Sequence, residues 1–310
     1  MIFAARALMV SLAFFALLYT FLSLILALAW SWLRFGKLIQ RLSANVLFRL
    51  RVAPFAISAA VSLFLICPSF FELETHSMDE DLGTFALGVC ALLLLGAGLF
   101  RVIAAEIRTR RIVSACLEGA VRLERYGVTD ATISRHNVAP LMLVGIRVPR
   151  ILISQSTRNV LSNEEIRAAV RHEAQHMRAR DNLKKAIFNF LPFPGMKSLQ
   201  EAWQQAAELA ADNGAVSSRR EALDLAAALL KLSRHYPHQM VPDYATSFVS
   251  SGESMTNRVE RLLAWEKTLD ARANRWGYAT FITCTAFLAV ALKLGSVLAL
   301  IHSITERFVP

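Results

Sequence analysis

The chain has 310 residues, 55% of them hydrophobic, with a mean hydropathy of +0.42 and a formal net charge of +10. That is too apolar for an ordinary soluble domain, and the basic excess comes with no nucleic-acid-binding motif, so direct contact with nucleic acid is not expected. Its four cysteines, Cys67, Cys90, Cys116 and Cys284, form no C-x-x-C pair, which argues against a disulfide framework and against a cysteine-ligated zinc.

Four uncharged runs stand out in chain order. Residues 7–33 lie between Arg6 and Arg34, 52–71 between Arg51 and Glu72, 82–100 between Asp81 and Arg101, and 276–292 between Arg275 and Lys293. The first three are long enough to cross about 30 Å of hydrocarbon as helices. The fourth is short alone and continues past Lys293, whose long stem can carry its charge to the interface. The first run has too long an apolar core for a signal peptide. Pro54 and Pro68 sit near the ends of the second run, where a helix tolerates them best. The loops orient the spans. Residues 34–51 carry Arg34, Lys37, Arg41, Arg49 and Arg51 and no acid, whereas 72–81 carry Glu72, Glu74, Asp79, Glu80 and Asp81 and no Lys or Arg. The positive-inside rule then puts both termini outside and residues 101–275 inside. The expectation is a mainly α integral membrane protein with four transmembrane helices. Three lie within 1–105, a cytoplasmic domain with a small β-sheet fills 106–272, and the fourth helix with a short external tail occupies 273–310. The basic residues near the inner ends of the spans would face anionic lipid.

Periodic apolar positions over 101–126 predict a helix that leaves the membrane and ends before Gly127. Residues 128–134 predict a short strand; Leu141 to Val144 and Arg150 to Ile153 predict a strand pair. Ser162 followed by Glu165 is a capping box, and Ile166, Ala169 and Val170 give the helix behind it an apolar face. Residues 186–196 are too short to span and are broken by Pro192 and Pro194, so they read as a hairpin against the inner leaflet or as a buried turn. A second helix follows over Met196 to Val216, then an Ala/Leu helix to about Ser233.

The chemistry lies on the two helices around that hairpin. His172-Glu173-Ala174-Gln175-His176 reads H-E-x-x-H, so both imidazoles share one helix face and can reach one metal ion, with the Glu173 carboxylate placed to take a proton from water on that metal. Glu208 and Asp212, also one turn apart, supply a third ligand and a carboxylate able to accept the free N–H of a ligand imidazole. His235 and His238 are rival ligands, but Pro237 between them argues against a helical pair.

These two motifs, with Met177 to Asn182 after the first, resemble the BlaR/MecR-type integral-membrane zinc metallopeptidases, which are related to the HtpX and CAAX prenyl proteases. The resemblance implies a gluzincin-type endopeptidase in a bacterial cytoplasmic (inner) membrane. It implies one Zn2+ per chain on His172, His176 and Glu208, Glu173 as the base, and Asp212 behind a ligand imidazole. It also implies a sheet whose edge strand holds an extended peptide, best matched by Pro140, Leu141, Met142 and Leu143. A short arginine segment after the acidic motif is matched by Arg258, a candidate stabiliser of a carboxylate or an oxyanion. The implied substrate is a cytoplasmic transcriptional repressor or the chain itself, and a homodimer is open. Alternatives are an HtpX-like quality-control protease and a non-catalytic signal transducer. The antibiotic sensors of the family carry an external penicillin-binding domain after the last span; no such domain follows here, so direct β-lactam sensing is not expected.

Overall fold

The computed structural model describes residues 2–34, 36, 42–73, 82–118, 120–123, 131–134, 140–191, 193–236, 245–247 and 253–266. The expected fourth span, 276–292, and Lys293 lie outside the described residues. Contacts divide the described chain into two compact units, one of residues up to 33 together with 52–97, the other of 34–51 together with 98–267.

The first unit is built from long apolar helices. α1 spans Ile2–Leu33, α2 Ala44–Val61, α3 Cys67–Leu73 and α4 Leu82–Leu117; α2 and α4 continue into the second unit. Three described segments, Ala4–Leu33, Ala44–Phe70 and Leu82–Leu117, are long and apolar enough to cross a membrane. Many of their large side chains point outward, among them Phe21, Leu28, Phe85 and Leu93, the expected result of facing lipid rather than water. Ala7, Val10 and Phe14 pack on Ile66 and Phe70, and Phe15 and Tyr19 set their rings against Phe55. A Cβ on Gly88 would lie 2.9 Å from the Met9 carbonyl, so α1 and α4 approach closely there. Pro54 proves to be internal to α2, because that helix begins eight residues before the apolar run. Before Pro68 the helix widens to a π turn, Ser62–Ile66, in which the Cys67 N–H reaches the Ser62 carbonyl. Such a turn accommodates the donor that proline lacks.

The second unit is a five-stranded mixed sheet with helices on both faces. β1 is Val121–Leu123, β2 Ala131–Ser134, β3 Leu141–Val144, β4 Arg150–Ser154 and β5 Ala245–Ser247, in the order β1-β2-β4-β3-β5. Among the described strands only β2 and β4 are parallel neighbours. The helices are α5 Thr157–Val160, α6 Asn163–Ala179, α7 Asp181–Phe190, α8 Lys197–Ala215, α9 Arg219–His235 and α10 Glu253–Leu263. Leu141, Leu143, Ile151 and Ile153 face a core shared with Ala169 and Val170 of α6 and Leu225 and Leu229 of α9. Met142, Val144 and Leu152 face the other way, onto Ile112 and Cys116 of α4. Burial on both faces explains why these strands are uninterrupted apolar runs.

Two expectations change, and one open alternative is decided. The helix expected over 101–126 stops at Leu117 as the end of α4, and Val121–Leu123 pairs with Ile133–Ala131 instead. Cross-strand pairing overrides the helical periodicity there. The segment Pro140, Leu141, Met142 and Leu143 is not a sheet edge. Leu141–Val144 lies between β4 and β5, with Met142 opposite Ser247 and Leu143 opposite Thr246. A segment about a hundred residues downstream covers that side. After α7, Leu191 and Met196 are buried, as is Phe188 near the end of α7, whose ring lies 5.0 Å from that of Trp203, so the described part of the hairpin is a tucked turn.

Candidate metal centre

The site forms where α6 packs on α8. Ser162 caps α6 reciprocally, accepting the Glu165 N–H while the Glu165 carboxylate accepts the Ser162 N–H. That fixes the register from which His172, Glu173 and His176 emerge, at 0%, 0% and 1% exposure. Close packing is eased by Gly214, where a Cβ would lie 2.8 Å from Gln175 Cδ, and the Gln175 amide donates to the Gly214 carbonyl at 2.6 Å.

The two Nε2 atoms of His172 and His176 stand 3.1 Å apart. Glu208 Oε2 is 3.5 Å from the first and Glu208 Oε1 3.7 Å from the second. The other ring nitrogens point at carboxylates: His172 Nδ1 is 2.9 Å from Asp212 Oδ1, and His176 Nδ1 is 2.7 Å from Asp181 Oδ2. A carboxylate at each Nδ1 makes that nitrogen the protonated one and leaves both Nε2 lone pairs converging with Glu208. Among the described residues these three are the one group of such side chains able to hold a metal ion together.

Arg258 of α10 closes the far side, 1% exposed. Its Nε and Nη2 donate to Asp212 at 2.8 and 2.7 Å, and its Nη1 lies 3.0 Å from Glu208 Oε2. Of the two partners expected for Arg258, carboxylate or oxyanion, the structure supplies carboxylates. Burial disfavours the charged forms throughout. Even so, the neighbouring imidazole and guanidinium hold Glu208 well below the usual carboxylate range, and Arg258 and His172 hold Asp212 down. Burial alone would lower the imidazoles, yet Asp212 and Glu208 push His172 up, and Glu208 and Asp181 push His176 up to about 10. The pocket therefore favours positive charge between its donors.

Asp181 is the residue the motif reading assigned no role. It stands five positions after His176, and a straight α6 would carry it away from the ring. Arg180 adopts a left-handed conformation, φ 55°, so the chain turns and α7 starts with Asp181 back against His176. Asn182 beside it donates to the Leu143 and Gly145 carbonyls at 3.3 and 3.0 Å, tying the turn to the end of β3. One turn further, Lys185 is pushed below the usual lysine range by burial, against the pull of Glu208, Glu173 and Asp181. A cavity of about 420 Å³ lies between the β3–β4 turn and the α6–α7 junction, and His176 and Asp181 line it.

A family model described as BlaR1 peptidase M56 matches residues 18–262, and no curated protein matches. The match takes in the second half of α1, the other two apolar segments and the donor cluster, which indicates a membrane-associated, metallopeptidase-like protein with a possible metal-binding triad. Since it takes in most of the chain, the chain belongs to the BlaR1 peptidase M56 family.

Proposed function

We propose that the chain is a zinc-dependent membrane endopeptidase. The observation that carries this reading is the convergence of two imidazole Nε2 atoms and one carboxylate, each imidazole backed by its own buried carboxylate. The donor set fits zinc. Ligand atoms about 2.0–2.1 Å from a tetrahedral ion lie roughly 3.4 Å from one another; here the two Nε2 atoms stand 3.1 Å apart, with Glu208 Oε2 3.5 Å from one and Oε1 3.7 Å from the other, and one donor atom from each residue lies within 4.8 Å of the others. His172, His176 and Glu208 would hold the ion. Zinc there would supply a Lewis acid for the scissile carbonyl and make water a stronger acid.

The chain's own groups do the rest. Glu173, buried beside both ligand histidines, takes the proton of the attacking water and returns it to the leaving amine. Asp212 and Asp181 orient the imidazoles through Nδ1, and Arg258 holds Glu208 and Asp212 in place. The cavity beside His176, rather than the covered β3, would admit substrate. The basic 34–51 and acidic 72–81 loops support a cytoplasmic active site in a bacterial inner membrane, with both termini outside. A cytoplasmic site suits regulatory cleavage of a cytoplasmic repressor or of the chain itself. The test is to compare new N-termini in cells carrying the native chain and Glu173→Gln. A small set confined to one cytoplasmic protein or to this chain supports regulation; a broad set from membrane proteins points to quality control; identical profiles overturn the peptidase reading.

A further inference from the structure

α7 carries Asp181 against His176, yet little of its own makes it stay there. It is ten residues long, follows the left-handed Arg180 rather than continuing α6, and has no side-chain cap at its start. A short helix in that setting depends on tertiary packing. Beyond α6, β5, Trp203 and the Asn182 tie to β3, packing comes from the first two turns of α2, in a parallel series. Asn45 Oδ1 lies 3.4 Å from Lys184 Nζ, and that ammonium is 5.8 Å from the centre of the Phe48 ring. The Phe48 ring lies 5.6 Å from Phe188. Arg51, 2% exposed, donates to the carbonyl of Leu191, the residue that ends α7, and sits 5.9 Å from the Phe188 ring. Positions 45, 48 and 51 share one face of α2, and 184, 188 and 191 share one face of α7. Lys184 also grips Asp181 Oδ1 at 3.0 Å. Burying an arginine is costly unless its charge has work to do, and the C-terminus of a helix is where a cation is favoured.

We propose that Asn45, Phe48 and Arg51 are positioning residues for the metal centre, acting through α7 on Asp181 and hence on His176. This rests on the zinc reading above. Its consequence is that residues in the first two turns of α2 set the affinity of a site more than a hundred positions later in the chain.

The test uses the full chain in detergent and two readouts. Zinc affinity is measured by chelator competition for the native chain, Arg51→Ala, Arg51→Lys, Asp181→Ala and the Arg51/Asp181 double variant. Asp181→Ala should weaken zinc by about 10–100-fold, as losing such an outer partner does. Arg51→Ala should weaken it several-fold, Arg51→Lys should recover part of the loss, and the double variant should be no worse than Asp181→Ala. Native affinity in Arg51→Ala, or losses that multiply in full in the double variant, overturns the proposal. If Arg51→Ala does not fold, Phe48→Leu and Lys184→Met run the same cycle. The second readout needs no metal. In the zinc-free chain with 15N-labelled histidine, Arg51→Ala should shift the His176 ring signals more than those of His172, which feels the change only through its contact with His176; unmoved His176 signals overturn the proposal. A native chain that holds no zinc while the His176 signals still respond would sink the zinc reading and leave the positioning role standing.

Discussion

At the residue scale the proposed site separates groups that would hold a cation from groups that would do chemistry around it. His172→Ala, His176→Ala and Glu208→Ala each remove one converging donor and should lose zinc, measured as metal per chain. Glu173→Gln keeps the shape of its buried side chain and should retain zinc while losing about 10²–10⁴-fold in peptidase activity. A Glu208→Ala chain with native zinc content would show that Glu208 is not a ligand. Asp212→Ala should sit between these, binding zinc about 10–100-fold more weakly and regaining activity as zinc is raised. Arg258 has a different signature, because it neutralises two buried carboxylates at once. Arg258→Met should destabilise the zinc-free chain by about 3–5 kcal/mol, the usual result of leaving buried charge unpaired. Denaturation in detergent measures it, and a loss below about 1 kcal/mol would show the pair to be solvated.

At the element scale the short helix α7 and the strand β3 hold most of what matters, and neither position follows from periodicity. Both H-E-x-x-H and Glu208/Asp212 could be placed on helix faces from spacing alone, and both helices run where expected, to within a residue or so at the ends of α8. The sharing of β3 between β4 and β5 could not, since it depends on Thr246 meeting Leu143. The end of α7 also leans on α4: a Cβ on Gly98 would clash with the Phe190 carbonyl and lie 3.1 Å from its ring, whereas a Cβ on Gly96 would meet nothing within 4 Å. Gly98→Ala should therefore cost about 1–3 kcal/mol, as overpacking does, and Gly96→Ala should be neutral or better. Thermal unfolding of the two variants side by side checks this; equal effects would mean that α7 can shift without cost.

At the scale of the whole molecule, the proposed orientation follows from charge in loops and not from contacts. A cysteine introduced at Thr75 should react with an impermeant label from outside intact cells, and one at Arg219 only after the membrane is opened. External labelling of Arg219→Cys would overturn the cytoplasmic site and, with it, a cytoplasmic substrate. The basis is the 72–81 segment with five acids and no Lys or Arg, against the 34–51 segment with five bases and no acid.

Local patterns were enough to mark the three described apolar helices and the converging side chains His172, His176 and Glu208, because hydrophobic run length and the 3.6-residue turn act between near neighbours. Folding decided what surrounds them. Asp181 meets His176 because Arg180 takes a left-handed conformation, which nothing in its side chain announces. Arg258 meets Asp212 from 46 residues away, and Arg51 reaches Leu191 across 140. Such pairs carry no spacing rule, since the intervening chain is free to take any path that closes the core, and burial together with charge pairing then selects which residues meet.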